Sequence, residues 1–303
     1  MAKCKFVSCF SYKGGAGRST LAINVVPFLA EKLKATEDRP FVLVDMDIDS
    51  CGLTYLFELH KEEKTAEDCV QQWFYPKGAR IPQESDDEDM ESATEHEMFQ
   101  HLFPVGKFFN FEDKAILCLP AKPGLSMGSN DSNYDASRVN KGLDIFKQAC
   151  DNFACGVLFD SAVGNQLTAN WSNRYSNYIL CCMRPTKQFL DGTNRFFDNY
   201  DEKAQNKKII VIPNVVPTDE LNIDGNQYPD YAKERIIESF KDNRLRGNNT
   251  YFIDLLEGEK FGVPKIDRFM WQEGVLKLER TLNSTERVAL ERYDEVASIV
   301  ANK

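Results

Sequence analysis

The chain has 303 residues, of which 42% are apolar and nine are cysteines, and a formal net charge of −10. This is enough for one large α/β domain or two small ones around a buried core, and it excludes global disorder. The acidity opposes a default affinity for nucleic acid or anionic lipid, which are held chiefly by clustered Lys and Arg, and no apolar run approaches the roughly 18–20 residues of a transmembrane helix. With no secretory signal at Met1-Ala2-Lys3-Cys4-Lys5, the nine cysteines point to a reducing, cytoplasmic compartment.

Residues 5–11 read as a buried strand. Apolar residues at helical spacing (Leu21, Val25, Phe28, Leu29, Leu33) predict a helix from Ser19 to about Leu33. Between the two lies Lys13-Gly14-Gly15-Ala16-Gly17-Arg18-Ser19-Thr20. Further short apolar runs at 41–46, 115–119, 156–159, 178–183, 208–212 and 250–253 are separated mostly by stretches long enough for crossover helices. The expected fold is α/β, a mostly parallel central sheet of about seven or eight strands with helices on both faces.

Residues 84–97, Glu-Ser-Asp-Asp-Glu-Asp-Met-Glu-Ser-Ala-Thr-Glu-His-Glu, repel one another and predict a solvated or mobile loop. Phe99, Phe103, Phe108, Phe109 and Phe111 follow; packing of an insertion against the sheet is the simpler reading, a partner-facing patch the sharper one. Without a linker or an internal repeat, residues 1–303 read as one domain with an acidic and aromatic insertion about 60–114. A last helix about 284–301 places Ala289, Tyr293, Val296, Ala297 and Val300 on one face, as a docking helix does, and lacks the Lys/Arg-rich face of a membrane-surface helix.

The glycine-rich stretch has the makings of a phosphate-binding turn. Gly14, Gly15 and Gly17 let successive backbone N–H groups point inward without Cβ clashes, Ala16 and Thr20 complete the turn and first helical residues, and the following helix presents an N-terminus that favours anions. Ser19 stands where such loops place the hydroxyl that binds Mg²⁺, and Arg18 replaces the usual lysine. Asp45 and Asp47 close the strand at 41–46 and Asp160 closes the strand at 156–159, so all three belong to the crevice at the carboxyl ends of the strands, where such sheets bind ligands.

Lys13 at the head of the turn makes it resemble the deviant Walker A loop of the ParA/MinD family, Lys-Gly-Gly-x-Gly-Lys-[Ser/Thr]. The further landmarks fall in order: Asp45-Met46-Asp47 followed by Gly52-Leu53-Thr54, Leu119-Pro120-Ala121, the Walker B-like strand ending in Asp160, Asn214 after a strand, and Gly262-Val263-Pro264. The resemblance runs from about residue 5 to 275, and the Arg18 variant looks closest to a subgroup whose loop reads Lys-Gly-Gly-Val-Gly-Arg. It implies ATP and Mg²⁺ as cofactors. By the same resemblance, Lys13 would reach a partner's nucleotide across a homodimer, Asp45 and Asp160 would help hold hydrated Mg²⁺ with Ser19, Asp47 would position the attacking water, Asn214 would contact adenine and Pro264 would flank the base.

The expected function is thus an ATP-binding, slowly hydrolysing dimeric switch that regulates a partner or effector protein. Some members of the subgroup stand beside genes that suggest signalling or defence against phage. Slow turnover is expected because a forked guanidinium is a poor substitute for a compact ammonium at a crowded phosphate site. A non-hydrolysing nucleotide sensor or scaffold is the alternative, and a DNA-partitioning or protein-positioning ATPase the third. The chain lacks an Asn/Thr-Lys-x-Asp guanine-reading motif. His96 and His101 are five residues apart, about 140° around a helix, which does not suit a zinc protease. The cysteines lack short CxxC pairs and read as buried thiols, and Ser161 lacks a nucleophile-elbow frame.

Overall fold

A computed structural model describes residues 3–74, 99, 101–124, 136–164, 166–184, 186–198, 207–216, 222–223, 226–227, 250–252, 262–270 and 274–302. The acidic segment 84–97 and His96 lie outside the described residues. The strands are β1 (Lys5–Ser11), β2 (Phe41–Asp45), β3 (Phe103–Pro104), β4 (Ile116–Leu119), β5 (Gly156–Val163), β6 (Tyr178–Met183), β7 (Lys208–Pro213), β8 (Asn222–Ile223), β9 (Asn226–Gln227) and β10 (Thr250–Phe252). Eight of them form one sheet in the order β10-β7-β6-β1-β5-β2-β4-β3, while β8 and β9 pair as a separate antiparallel ribbon. Seven strands of the sheet run parallel, and β3 joins the β4 edge antiparallel.

The described α-helices are α1 (Arg18–Lys32), α2 (Gly52–Leu56), α3 (Val70–Phe74), α4 (Ala136–Phe153), α5 (Leu167–Tyr175), α6 (Lys187–Asp198) and α7 (Ser284–Asn302), with short 3-10 turns between them. Successive side chains of a strand point to opposite faces, so β2 divides cleanly: Phe41 and Leu43 enter the core shared with α1, α6 and α7, whereas Val42 and Val44 enter the core shared with α3 and α4. Because both faces are covered, the strands read as continuous apolar runs rather than alternating ones.

Leu21 to Ala30 of α1 are all buried, Pro27 included. No one-sided stripe is needed, since the sheet covers one side of this helix and α7 the other. The α7 face against it carries Ala289, Tyr293, Val296, Ala297 and Val300, the residues expected on one face. A reciprocal capping box starts α7: Asn283 Oδ1 accepts from Glu286 N at 2.9 Å and Asn283 N donates to Glu286 Oε2 at 3.0 Å.

Of the five phenylalanines that follow the acidic segment, all but Phe108 are buried or half-buried. Phe103 and Phe109 are buried, Phe99 meets Phe153 edge-on at 6.0 Å, and Phe108, the most open of the five at 36%, stands edge-on to Phe57 at 5.0 Å. Phe103 and Phe109 thus pack as the simpler of the two readings has it, while Phe108 stays exposed.

Asn24, buried in the middle of α1, ties the C-terminal segment to the helix. Its Nδ2 donates to Thr20 O (2.9 Å) and Gly274 O (3.0 Å), and its Oδ1 accepts from Leu276 N (2.8 Å). Asn24→Ala removes this side-chain connection to buried backbone groups and is expected to lower stability by about 1–3 kcal/mol, read from the shift of the urea unfolding midpoint.

Candidate functional site

Strand β1 lies between β5 and β6, so the chain leaving its carboxyl end emerges from the centre of the sheet. It turns through Gly15 (φ +80°) and Gly17 (φ +77°), both in the left-handed region, and enters α1 at Arg18. No side chain caps this helix, and its first turn carries no acidic residue. The unsatisfied first-turn N–H groups and the positive end of the helix dipole therefore remain available to an anion.

The carbonyls of the turn are held from below. Asn214 Nδ2, just past β7, donates to Ala16 O at 2.8 Å and Gly17 O at 3.3 Å, while the thiol of Cys182 donates to Ala16 O at 3.1 Å and that of Cys9 to Arg18 O at 3.5 Å. In a trans peptide the N–H points opposite to its C=O, so anchoring these carbonyls on the protein side turns the adjacent N–H groups away from it. Val215, a β-branched residue at φ +57°, continues from Asn214, a strained conformation of the kind that collects at ligand-holding sites. Pro264 is buried and bridges Val216, placing the 262–264 loop beside the Asn214 segment.

The head of the turn leans on α6. Lys13 is exposed, and its Nζ donates to Gln188 Oε1 at 2.5 Å. The Tyr12 ring occupies the room left by Gly192, where a Cβ would come within 2.1 Å of Cδ1.

Three carboxylates and a hydroxyl converge beside the turn. Asp45, the last residue of β2, and Asp160, within β5, are register partners on adjacent strands, and both are fully buried; β5 runs on to Val163, so Asp160 does not close its strand as the sequence suggested. Asp45 Oδ2 accepts from Thr54 N (2.9 Å) and Thr54 Oγ1 (2.7 Å), and Thr54 Oγ1 in turn accepts from Ala121 N (2.8 Å). Among the described residues, Oδ1 of Asp45 and both oxygens of Asp160 have no hydrogen-bond partner. Burial, then the neighbouring Asp160 charge, pushes the Asp45 carboxyl up to about 7, against the Thr54 hydrogen bonds. Burial likewise raises Asp160 to about 6, opposed by the Arg18 charge and the nearby Ser19 hydroxyl. Gly52 opens α2 against Ser19: a Cβ there would lie 3.3 Å from Ser19 Oγ.

Arg18 enters this pocket rather than the open side of the turn. Its Nη2 lies 2.8 Å from Asp47 Oδ2 and its Nη1 donates to the Ser161 carbonyl. The Ser161 hydroxyl is engaged with Ser8 at 3.0 Å inside the sheet.

The oxygen-only donor set of Ser19, Asp45 and Asp160, with three unpartnered carboxylate oxygens, suits a hard divalent cation such as Mg²⁺ that keeps part of its water shell. No group of three His, Cys, Asp or Glu side chains is arranged to hold a metal directly among the described residues. His101 faces Asp68 at 3.3 Å. All nine cysteines are free and buried, with burial pushing Cys51, Cys155 and Cys182 up to about 12.

Sequence reasoning left Thr54, Cys182 and Gln188 without roles. Thr54 closes the Gly52-Leu53-Thr54 landmark and Cys182 stands next to last in β6, so position could have singled out both; nothing in the sequence marks Gln188.

No family model matches the chain, and no curated protein matches it either. Solved structures do. The MinD of a MinC:MinD cell division complex from Aquifex aeolicus is similar at 17% identity and a TM-score of 0.60, covering 99% of this chain and 97% of that one. A Cyanothece McdA–ATP complex is similar at 14% identity and a TM-score of 0.58, covering 100% and 98%. The pNOB8 ParA bound to nonspecific DNA is similar at 15% identity and a TM-score of 0.53, covering 99% and 98%. The chain has the fold of the ParA/MinD-type P-loop proteins.

Proposed function

We propose that this chain binds ATP with Mg²⁺ and hydrolyses it slowly, as a cytoplasmic switch whose ATP-bound form is a homodimer read by a partner protein. The observation that carries the reading is the uncapped N-terminus of α1, opened by Gly15 and Gly17, directly beside the unpartnered oxygens of Asp45 and Asp160. Phosphates would lie on the first-turn N–H groups. The Ser19 hydroxyl would bind the cation, and the two buried carboxylates would hold its water. Mg²⁺ supplies charge neutralisation at the phosphates when bound.

Within this reading Lys13, exposed at the head of the turn, is the residue that would act in trans, and Asp47 the one that would orient water. Asn214 and the 262–264 loop would border the base. All 303 residues would work as one domain, with the insertion about 60–114 and helix α7 as its attachments. ATP is preferred by the family resemblance and by the lack of a guanine-reading motif. A setting in signalling or phage defence rests on the Arg18 loop variant. DNA partitioning is disfavoured by the net charge of −10. No described helix is long and apolar enough to cross a membrane.

The test is phosphate release by purified protein with Mg²⁺ and ATP. Release is expected above the level of Lys13→Ala and Asp47→Ala proteins, together with a doubling of mass by light scattering in a non-hydrolysable analogue. The pairing of Arg18 with Asp47 favours a second reading, a nucleotide sensor without turnover. Binding without release above those controls would select it.

A further inference from the structure

Arg18 is the first residue of α1, where an anion would meet the helix, yet its guanidinium is committed elsewhere. Nη2 contacts Asp47 Oδ2 at 2.8 Å and Nη1 contacts the Ser161 carbonyl; the two charged side chains are only 10% and 12% exposed. Such a pair is shielded from water and from salt, unlike an ion pair on the surface. The arrangement depends on the fork of arginine, since a lysine ammonium is a single point that lacks two separated planar donors. While Oδ2 of Asp47 accepts from Arg18, that oxygen is unavailable to orient a water. Two demands thus fall on one cation: a carboxylate inside the pocket and a phosphate at the helix end.

We propose that Asp47 and nucleotide phosphates compete for Arg18, so that Asp47 is released to hold water only when a phosphate has drawn the guanidinium away. This rests on the reading of the turn as a nucleotide site. It adds a property that the site residues do not have singly: binding is weakened by the pair that has to be broken, and the freed carboxylate reports that it has broken. A ligand's apparent affinity falls by the fraction of protein in which its binding group is free. An Arg18 that is mostly paired therefore makes nucleotide binding weaker than the loop alone would allow.

The experiment is a double-mutant cycle on the affinity for a non-hydrolysable ATP analogue with Mg²⁺, using the natural chain, Asp47→Asn, Arg18→Gln and Arg18→Gln/Asp47→Asn. Competition predicts that Asp47→Asn binds about tenfold tighter in the presence of Arg18 while its turnover falls, and that the gain shrinks to about twofold or less once Arg18 is Gln. Simple relief of charge repulsion between Asp47 and the phosphates would give the same gain in both backgrounds, and that result overturns the proposal while leaving nucleotide binding intact. Binding of the analogue by none of the four proteins, each shown to be folded by circular dichroism, overturns the proposal together with the reading on which it rests.

Discussion

Gly17→Val is expected to abolish nucleotide binding and to lower stability by about 2–4 kcal/mol, because two penalties coincide at one Cβ. The backbone there sits at φ +77°, a region that a β-branched residue occupies only under strain. A Cβ would also lie 2.8 Å from Asn214 Nδ2 and 3.3 Å from Val215 Cγ2. Asn214 could give way only by releasing the carbonyls of Ala16 and Gly17, which position the turn. Gly14→Ala is the control within the same loop, since a Cβ at Gly14 meets nothing within 4 Å and its φ is not left-handed. Urea unfolding and titration with a fluorescent nucleotide check both variants; equal behaviour of the two would refute the argument.

Magnesium is expected to raise the melting temperature more at pH 8 than at pH 5, without nucleotide. Asp45 and Asp160 have an ordinary value of 3.8, and in the folded chain they rise to about 7 and about 6. A raised folded-state value means that the folded chain holds protons more tightly than the unfolded chain. The stabilisation is therefore fully present below about pH 4 and is lost as the pH climbs through about 6 and 7. Above pH 7 the two carboxylates face each other charged in a buried pocket, where a divalent cation would take over the role of the protons. At pH 5 the protons already fill that role, and the cation gains less. Asp45→Asn should flatten the pH dependence and reduce the magnesium effect. Identical magnesium shifts at both pH values would show that the cation binds elsewhere.

The parallel strands were legible because each is a short apolar run closed by a polar or turn residue, and the end of the run is also where ligand-facing groups sit. Asp45 illustrates this, and Asp160 was readable as the first polar residue after an apolar run, although β5 continues past it to Val163. Their meeting as register partners was not, because β2 and β5 are more than a hundred residues apart and the sheet order decides which strands touch. The edge strand β3 escaped notice for a different reason. Its two residues, Phe103 and Pro104, are too few to show a period of two. Arg18 was legible as a departure from the usual lysine, and its direction was not, since Asp47 reaches it from the segment after β2 and Ser161 from β5. The same holds for Asn24, whose polar side chain inside an apolar helix has meaning only once the segment at 274–276 lies across it.

The nine buried thiols make the chain its own clock for opening. Every cysteine lies inside the fold, spread over β1, β4, β6, α4 and the segments adjoining the helices and strands, and burial holds all nine in the protonated, unreactive form. A pulse of alkylating reagent therefore marks only molecules, or parts of molecules, that have come apart during the pulse. Cys9 and Cys182 label the floor of the glycine-rich turn, whereas Cys4, Cys150 and Cys155 label the opposite end of the sheet, and peptide mapping of the modified residues would show which end yields first.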